Sequence, residues 1–277
     1  MEGEAFRLPL RHYRQYPPDG WAGEITEDVD VEVTRSAFCL VDVYGLGLHP
    51  DDEVPHEYPA LSSEASLHRE VPILKEHVLP TLEAARAVGL PVIYVNNSAP
   101  RIEFSKGQLG MLLERVTGYR MEDLMSEPDA DDLEYHRSAS RFVQISKLLE
   151  PKPGEYFIRK HAYSGFHETR LDSLLRNLDI RSIVFVGFSL DVCLGATMLD
   201  ALNRDYEVIL LRDCTLACDT PEESETLAFT TRMITWAEMV VARTTTSKAF
   251  IDECDALVKA RRTRAAEEPK VSSSAGA

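Results

Sequence analysis

Positive charge is scarce in this sequence, which has 30 Lys and Arg residues against 46 Asp and Glu residues and a formal net charge of −16. A chain of this charge repels the phosphates of nucleic acids and the anionic surface of lipid bilayers. We therefore expect neither nucleic acid nor a membrane as a partner. The overall charge says little about the charge inside a buried pocket.

Long apolar runs and a secretory start are also missing. No uninterrupted apolar stretch approaches the roughly 20 residues that cross a bilayer as a helix. The chain starts Met-Glu-Gly-Glu-Ala, which has neither the basic residues nor the apolar segment of a signal peptide. We expect a soluble, cytoplasmic protein.

Cysteine is sparse, and its positions are scattered. The five cysteines are Cys39, Cys193, Cys214, Cys218 and Cys254. An odd number at irregular spacing does not indicate a disulfide framework. Cys214 and Cys218 have the spacing of half a zinc site, but no second pair of cysteines and no histidine cluster accompanies them. We expect no metal.

Apolar strands that alternate with amphipathic helices are abundant. Hydrophobic residues make up 44% of the chain, which is enough for a core. Short apolar runs predict six strands. They lie at 37–44, 91–95, 155–160, 183–186, 207–211 and 239–241. The alternation is typical of an α/β protein, and we predict a three-layer αβα, Rossmann-like fold around a mostly parallel six-stranded sheet.

Three segments differ from this pattern. Residues 1–35 are polar and contain prolines, and we interpret them as an extended arm that lies on the body or on a neighbouring subunit. Residues 98–154 are too long for a simple connection, so we predict an insertion that covers the site within a domain of residues 36–260. The charged, then small and polar residues 261–277 predict a disordered tail.

Cys193 lies at the turn between the strand at 183–186 and the helical pattern that follows it. The unpaired N–H groups at the start of a helix favour a thiolate, which a nucleophilic cysteine needs. The simpler alternative is a small apolar residue that packs at the start of the helix.

Asp42 and Lys160 are charged residues at the ends of buried strands. A carboxylate there is costly unless it is paired or functional, although Asp42 could instead cap the loop that follows it. In mostly parallel sheets, sites form at the carboxyl ends of the strands. Because Asp42, Lys160 and Cys193 follow three different strands at such ends, we predict that they form one site.

Three groups of residues carry a family resemblance. They are Leu40-Val-Asp-Val43; Lys160 with Tyr163-Ser-Gly-Phe166 and Thr169-Arg-Leu-Asp172; and Gly187, Asp191-Val-Cys193 and Asp200-Ala201. Their order and spacing over residues 36–250 resemble the isochorismatase-like cysteine hydrolases. The second group and the long loops are most similar to the ureidoacrylate and biuret amidohydrolase branch. Residues 36–260 would then form the hydrolase domain.

The resemblance implies a mechanism in which Asp42, Lys160 and Cys193 are the catalytic triad. Asp42 would take the thiol proton, Lys160 would stabilise both negative charges, and Cys193 would attack a carbonyl carbon to form a thioester. The backbone N–H groups of Ser189 and Cys193 would form the oxyanion hole. The resemblance also implies a cis peptide bond between Phe188 and Ser189, no cofactor, and a homodimer or homotetramer.

We predict substrate contacts at Asn97, Tyr163, Phe166 and Tyr44. A turn-forming role is the alternative for Asn97. Tyr163 and Phe166 match an aromatic wall of the family, and plain packing is their alternative. Tyr44 is placed with them although Val43-Tyr44-Gly45 replaces the family's usual Met-Gln-Asn, so the family's contacts do not carry over there.

Other polar residues have simpler explanations than function. Asn96-Asn97-Ser98 stands where the nicotinamidase branch has metal ligands, which supports the prediction that no metal binds. His161 and His167 could shape the pocket, although solvated loop histidines are more frequent. Arg101 and Arg141 could hold a substrate carboxylate, but surface charge is the simpler account of both.

The sequence therefore predicts a metal-independent cysteine amidohydrolase that acts on a small amide, ureide or carbamoyl compound and releases ammonia or an amine. The nucleophilic cysteine argues against an isochorismate-type hydrolase, because true isochorismate hydrolases lack it. A metabolite-binding or scaffold protein on the same fold is the alternative from another class. A thiol-redox or thioesterase role for Cys193 ranks last because no Cys-x-x-Cys motif contains it.

Overall fold

The computed structural model describes residues 4–45, 48–52, 64–97, 106–118 and 144–267 of the chain. Its strands are β1 Ala5–Arg14, β2 Gly23–Glu32, β3 Ser36–Val41, β4 Val92–Asn97, β5 Tyr156–Lys160, β6 Ser182–Gly187, β7 Glu207–Leu211 and β8 Arg243–Thr245. Its α-helices are α1 Glu64–Ile73, α2 Leu79–Val88, α3 Gln108–Thr117, α4 Leu171–Asn177, α5 Cys193–Leu202, α6 Ala228–Val240 and α7 Ser247–Glu267. A π-helical turn, Leu74–Val78, joins α1 to α2, and a short 3-10 helix, Val33–Arg35, precedes β3.

The strands form one sheet in the order β2-β1-β8-β7-β6-β3-β4-β5. Strands β3 to β8 run parallel to one another, and β1 runs antiparallel to β2 and β8. The chain proceeds from β3 outward to β4 and β5 and then returns to place β6 on the other side of β3. A crevice forms at the carboxyl ends of the strands where an α/β sheet reverses its order in this way. The predicted α/β class and mostly parallel sheet are confirmed.

Helices on both faces of the sheet create two hydrophobic cores and three layers. Because successive side chains of a strand point to opposite faces, Phe38 and Leu40 of β3 enter one core, and Cys39 and Val41 enter the other. The first core contains side chains of α2 and α7, and the second contains side chains of α4, α5 and α6. All six residues of β3 are buried, so this strand lies at the centre of the fold.

The sheet has eight strands, not the six that we predicted, because residues 1–35 contain β1 and β2. Phe6, Leu8 and Leu10 are fully buried and alternate with less buried residues, which is typical of a strand with one buried face. Arg7 and Pro9 are the less buried residues between them, and they contributed to our interpretation of the segment as polar. The rings of Phe6 and Phe250 of α7 lie 5.6 Å apart between centroids. The hairpin therefore extends the sheet over the core.

Two boundaries also differ from the prediction. The strand predicted at 239–241 belongs to the end of α6, and β8 follows at Arg243–Thr245. Helix α7 continues to Glu267, so the tail predicted from residue 261 does not begin there. Arg261 and Arg264 lie 2.7 and 2.5 Å from the carboxylate of Glu4, which ties the end of α7 to the start of β1.

The remaining domain boundaries stay predictions. The segment 98–154, predicted to be an insertion, is described only at 106–118 and 144–154. None of the helices within the described ranges combines the length and the apolar character needed to cross a bilayer.

Candidate active site

The carboxyl ends of four adjacent strands bring four polar residues to one edge of the sheet. Asp42 follows β3, Asn97 ends β4, Lys160 ends β5, and Cys193 opens α5 just after β6. The strands are ordered β6-β3-β4-β5, so Asp42 lies between Cys193 on one side and Asn97 and Lys160 on the other. The site therefore occupies the point where the strand order reverses.

Lys160 connects the other residues of this cluster. Its Nζ lies 2.8 Å from Oδ2 of Asp42 and 3.2 Å from Sγ of Cys193, and it donates a hydrogen bond of 2.5 Å to Oδ1 of Asn97. Lys160 is completely buried and Asp42 is 4% exposed, so water screens their attraction weakly. The structure thus brings together the three residues predicted to be catalytic.

Asn97 binds several members of the cluster at once. Its backbone N–H and its Nδ2 donate to Asp42 at 3.1 and 3.3 Å, and Nδ2 also donates to the hydroxyl of Tyr44 at 2.6 Å. Burial raises the pKa of Tyr44 well above its ordinary value, and the charges of Asp42 and Cys193 raise it further. The contacts of Asn97 and Tyr44 hold the cluster together, and their predicted contact with substrate stays a prediction.

The surroundings of Cys193 have opposing effects on the pKa of its thiol. Burial is the largest cause that raises the pKa of Cys193 to about 12; the charge of Lys160 lowers it, while the charge of Asp42 and its hydrogen bond with the thiol raise it. Burial and Asp42 therefore oppose the thiolate that we expected at the start of the helix, and Lys160 favours it.

Lys160 is a cation despite its burial. Burial favours the neutral amine and lowers the pKa of Lys160, but the charges of Asp42 and Cys193 and their hydrogen bonds raise it above its ordinary value overall. A buried charge of this kind persists only when a partner compensates it. Lys160 can therefore stabilise negative charge on either Asp42 or Cys193.

The backbone around the cluster brings the ends of β3 and β6 into close contact. Gly187 has φ +115, and a Cβ there would lie 1.9 Å from the carbonyl oxygen of Val41, so only glycine fits. The N–H of Phe188 donates to the same Val41 carbonyl at 2.9 Å. Asp42 has φ 48, a left-handed conformation that aspartate tolerates better than most residues. These two turns direct Asp42 and the segment before Cys193 toward each other.

The turn before Cys193 is folded around Ser189. The Phe188–Ser189 peptide bond is cis, as the resemblance implies. The carbonyl of Ser189 accepts hydrogen bonds from the N–H groups of Val192 and Leu194, at 3.0 and 3.1 Å. The oxyanion role of the Ser189 and Cys193 N–H groups stays a prediction.

The loop after β5 is bound to α5. Thr197 accepts a hydrogen bond from the N–H of Gly165 at 2.9 Å and donates to the carbonyl of Cys193 at 2.7 Å. Ser164 donates to Asp200 at 2.5 Å. These bonds fix the loop against the helix that begins with Cys193.

The two aromatic residues of this loop have different surroundings. Burial raises the pKa of Tyr163, and the charge of Cys193 raises it further, so Tyr163 lies near the cluster. Phe166 is 5% exposed and packs on Tyr206, with its ring under the guanidinium of Arg204. These are contacts of a packing residue, and the predicted contact of Phe166 with substrate stays a prediction.

Glu70 of α1 is a residue near the cluster that the sequence analysis missed. It is partly buried and lies four residues before Leu74, which faces the core. Burial and the charge of Asp42 raise the pKa of Glu70 to about 7. An acidic residue on the apolar stripe of a helix is the one sequence signal that could have identified it.

Cys218 is the second residue near the cluster that was missed. Its N–H donates to Asp191 at 3.0 Å, and its side chain forms a hydrogen bond with Ser189. Cys218 is exposed, and the partial desolvation of its side chain is the main cause that raises its pKa. Cys214 is instead fully buried in the core. The described part of the chain contains no group of three or more His, Cys, Asp or Glu residues that could hold a metal ion.

The two histidines of the loop after β5 lie beside each other. The rings of His161 and His167 lie 5.8 Å apart between centroids, and Nε2 of His161 lies 3.6 Å from Glu168. Arg101 and Arg141 lie outside the described residues.

Comparison with known proteins places the chain in a protein family. The model of the isochorismatase domain matches residues 63–247, more than half of the chain. The chain belongs to the isochorismatase family. The matched span contains Lys160 and Cys193, and Asp42 precedes it in the sequence.

Curated relatives within the isochorismatase family match part of the chain. Ureidoacrylate amidohydrolase RutB of Rhizobium rhizogenes is 30% identical over 139 residues, which are 50% of this chain and 56% of that protein. RutB of Pseudomonas savastanoi pv. phaseolicola is 30% identical over 132 residues, which are 48% of this chain and 53% of that protein. The chain thus spans just over half the length of the curated relatives it matches.

Solved structures of the isochorismatase family share the fold over a longer span. A cysteine hydrolase from Pseudomonas syringae pv. phaseolicola 1448A has a TM-score of 0.58 at 21% identity, covering 92% of this chain and 99% of that chain. An isochorismatase family protein from Desulfovibrio vulgaris has a TM-score of 0.51 at 20% identity, covering 79% and 97%. At these identities the likeness concerns the fold.

Proposed function

We propose that this chain is a metal-independent cysteine amidohydrolase that cleaves a C–N bond of a small amide, ureide or carbamoyl compound. The observation that carries the proposal is the position of Lys160 Nζ, 2.8 Å from Asp42 and 3.2 Å from Sγ of Cys193. The family and the two RutB relatives, which are named ureidoacrylate amidohydrolases, support the same reaction class.

The first step transfers a proton and forms a C–S bond. The Cys193 thiol, with a pKa raised to about 12, gives its proton to Asp42 as the sulfur attacks the carbonyl carbon. Lys160 stabilises the negative charge on sulfur during the transfer. Two opposite charges about 4 Å apart attract each other by about 4 kcal/mol at an effective dielectric of 20, compared with about 1 in water. The burial of Lys160 therefore makes the stabilisation effective.

The second step breaks the C–N bond and regenerates the thiol. Asp42 returns the proton to the leaving nitrogen, so that ammonia or an amine departs and a thioester remains on Cys193. Water then attacks the thioester and Asp42 accepts its proton. The C–S bond breaks, the carboxylic or carbamic acid product leaves, and Asp42 returns the proton to the sulfur of Cys193. The N–H groups of Ser189 and Cys193 are proposed to stabilise the oxyanion in both steps. No cofactor takes part in this scheme.

Ammonia release tests the proposal. The purified wild type, Cys193→Ala and Cys254→Ala would be assayed on ureides, biuret, carbamoyl amino acids and simple amides. Cys254 is a matched control because it is a buried thiol in α7, on the other side of the sheet from α5. We expect release by the wild type and Cys254→Ala but not by Cys193→Ala. Release by Cys193→Ala would show that the nucleophile is another group.

Mass spectrometry separates the enzyme from a binding or scaffold protein. An amidohydrolase quenched in acid during turnover carries an acyl adduct on the peptide that contains Cys193. A protein that only binds the compound carries none and releases no ammonia. Light scattering would test the further proposal that the chain forms a homodimer or homotetramer.

A further inference from the structure

A groove of about 480 Å3 lies between α5 and α6, beside the catalytic cluster. Val192, Ala196 and Leu199 form one wall, and Trp236 of α6 lies in the lining with them. These three residues share one face of α5 because they are spaced by four and three positions. Ligand pockets in proteins usually have volumes of about 300–1,000 Å3, so the groove has room for a substituent of a small molecule.

Two residues of the groove lining, Val192 and Tyr163, are neighbours of Cys193. Val192 immediately precedes Cys193, and Tyr163, which also lines the groove, is close enough to Cys193 for the thiol to contribute to the raised pKa of its hydroxyl. Tyr163 is fixed there by the loop that is bound to Thr197 of α5 through Gly165. A substrate whose carbonyl carbon lies at Cys193 can therefore extend past Tyr163 into the groove.

The chemistry of the lining defines what the groove accepts. Most of its lining side chains are apolar, and Trp236 supplies a broad flat surface. A Cβ at Gly195 would lie 3.9 Å from the Trp236 ring, so α5 and α6 are already close there. Asp191 is the charged residue among the described lining, and its Oδ1 accepts the N–H of Cys218. Apolar walls with one carboxylate favour an uncharged or cationic apolar group and disfavour an anion.

We propose that this groove binds an aliphatic or aromatic substituent of the substrate, so that the enzyme prefers amides or ureides with an apolar chain over those with a carboxylate at the same place. The inference rests on the proposed function, because a substrate preference requires that the chain hydrolyses amides or ureides. The proposed preference differs from the substrate in the name of the ureidoacrylate amidohydrolases, because an acrylate carries a carboxylate.

Matched substrates test the preference. Hexanamide, adipamic acid and acetamide share one reacting amide; the first two have six carbons each and differ by a terminal carboxylate. We expect kcat/KM for hexanamide to exceed that for acetamide and adipamic acid by about tenfold or more, since apolar pockets discriminate by about 10-fold or more for each added methylene. Equal values for the three compounds, or a preference for adipamic acid, would overturn the inference.

A binding measurement tests the groove independently of turnover. The chain has two tryptophans, Trp21 and Trp236, and Trp21 is 51% exposed. In a protein with Trp21→Phe, the remaining fluorescence reports on the groove. We expect hexanamide to change it saturably and adipamic acid to bind about tenfold more weakly or worse. If hexanamide binds but no amide is hydrolysed, the proposed function fails and the groove assignment stands. If hexanamide causes no saturable change, the groove assignment fails even in an active enzyme.

Two leucines of α5 provide a matched pair of variants. Leu199 and Leu202 are each 40% exposed, but only Leu199 is in the described lining of the groove. We expect Leu199→Glu to weaken hexanamide binding about tenfold, while Leu202→Glu leaves hexanamide binding unchanged. Equal effects of both variants would overturn the inference. So would a change of oligomeric state in Leu199→Glu without any loss of hexanamide binding, because the groove would then be an interface between copies.

Discussion

Asn97 and Lys160 are opposite each other in the parallel pair β4–β5, and Oδ1 of Asn97 lies 2.5 Å from Nζ of Lys160. The same Asn97 side chain donates to Asp42, which is the ion-pair partner of Lys160. One amide therefore accepts from the cation and donates to the anion. This arrangement keeps the carboxylate and the ammonium in place while Asp42 exchanges a proton with Cys193.

We expect Asn97→Ala to lower kcat by about 10- to 100-fold with little change in KM, which is the usual cost of removing a residue that orients a catalytic group. Steady-state kinetics would measure both constants, with Asn203→Ala, an exposed asparagine after α5, as the control. A large rise in KM at constant kcat would instead support the predicted contact between Asn97 and substrate.

We expect Lys160→Met to raise the pKa of Cys193 further, because Lys160 is the positive charge that lowers it. Alkylation of Cys193 should then be slower than in the wild type at every pH below about 12, as measured by mass spectrometry of the labelled peptide. The exposed Lys152→Met is the control. Removal of one partner of a buried ion pair costs about 3–5 kcal/mol, so the labelling is performed where thermal melting shows a folded variant. An unchanged rate would contradict the role of Lys160.

Glu70 should make the stability of the protein fall as the pH rises. Its pKa is raised from 4.5 to about 7 on folding, so between these values the folded state holds a proton that the unfolded state has released. A pKa raised by one unit corresponds to about 1.4 kcal/mol in the free energy of unfolding. The loss of stability is therefore at most about 3 kcal/mol, and it is complete above about pH 7. Below pH 4.5 Glu70 is protonated in both the folded and the unfolded state, so it no longer lowers the stability of the protein.

Urea denaturation of Glu70→Gln at pH 5 and pH 8 measures this effect. We expect the variant to gain about 2 kcal/mol relative to the wild type between these two pH values, because Gln carries no charge to bury. Glu76→Gln, an exposed glutamate one to two turns further along the helical segment, is the control and should gain nothing. A pH-independent difference between Glu70→Gln and wild type would contradict the prediction.

Gly187→Ala should be far more damaging than Gly154→Ala. Both glycines have positive φ, but a Cβ at Gly154 has no heavy atom within 4 Å, whereas a Cβ at Gly187 would lie 1.9 Å from the Val41 carbonyl oxygen. Left-handed backbone alone costs an alanine about 1–2 kcal/mol. Thermal melting should therefore show a moderate loss for Gly154→Ala and a much larger loss or no folding for Gly187→Ala. Equal losses would show that the contact with Val41 can relax.

Local patterns were sufficient to place the ends of the central strands. The run at 183–186 and the helical spacing after Cys193 correspond to β6 and α5, and Gly89 closes α2 with φ +78 as expected for a glycine after a helix. The hairpin β1–β2 was missed although Phe6, Leu8 and Leu10 alternate with Arg7 and Pro9 as in a strand with one buried face. Its burial depends on α7, which is more than 200 residues away in the chain. The alternation alone does not show which distant element covers the apolar face.

The sequence by itself determined which side chains stand at the ends of the strands, because hydrophobic periodicity and glycine positions are local properties of the chain. It therefore predicted Asp42, Lys160 and Cys193 as one site. Only the tertiary structure decided the strand order that places β6 beside β3, the bonds of Asn97, and the burial that raises the pKa of Cys193. Strand pairing and burial arise from contacts between residues distant in sequence, and the pKa of a buried thiol depends on all the charges and the desolvation that these contacts create.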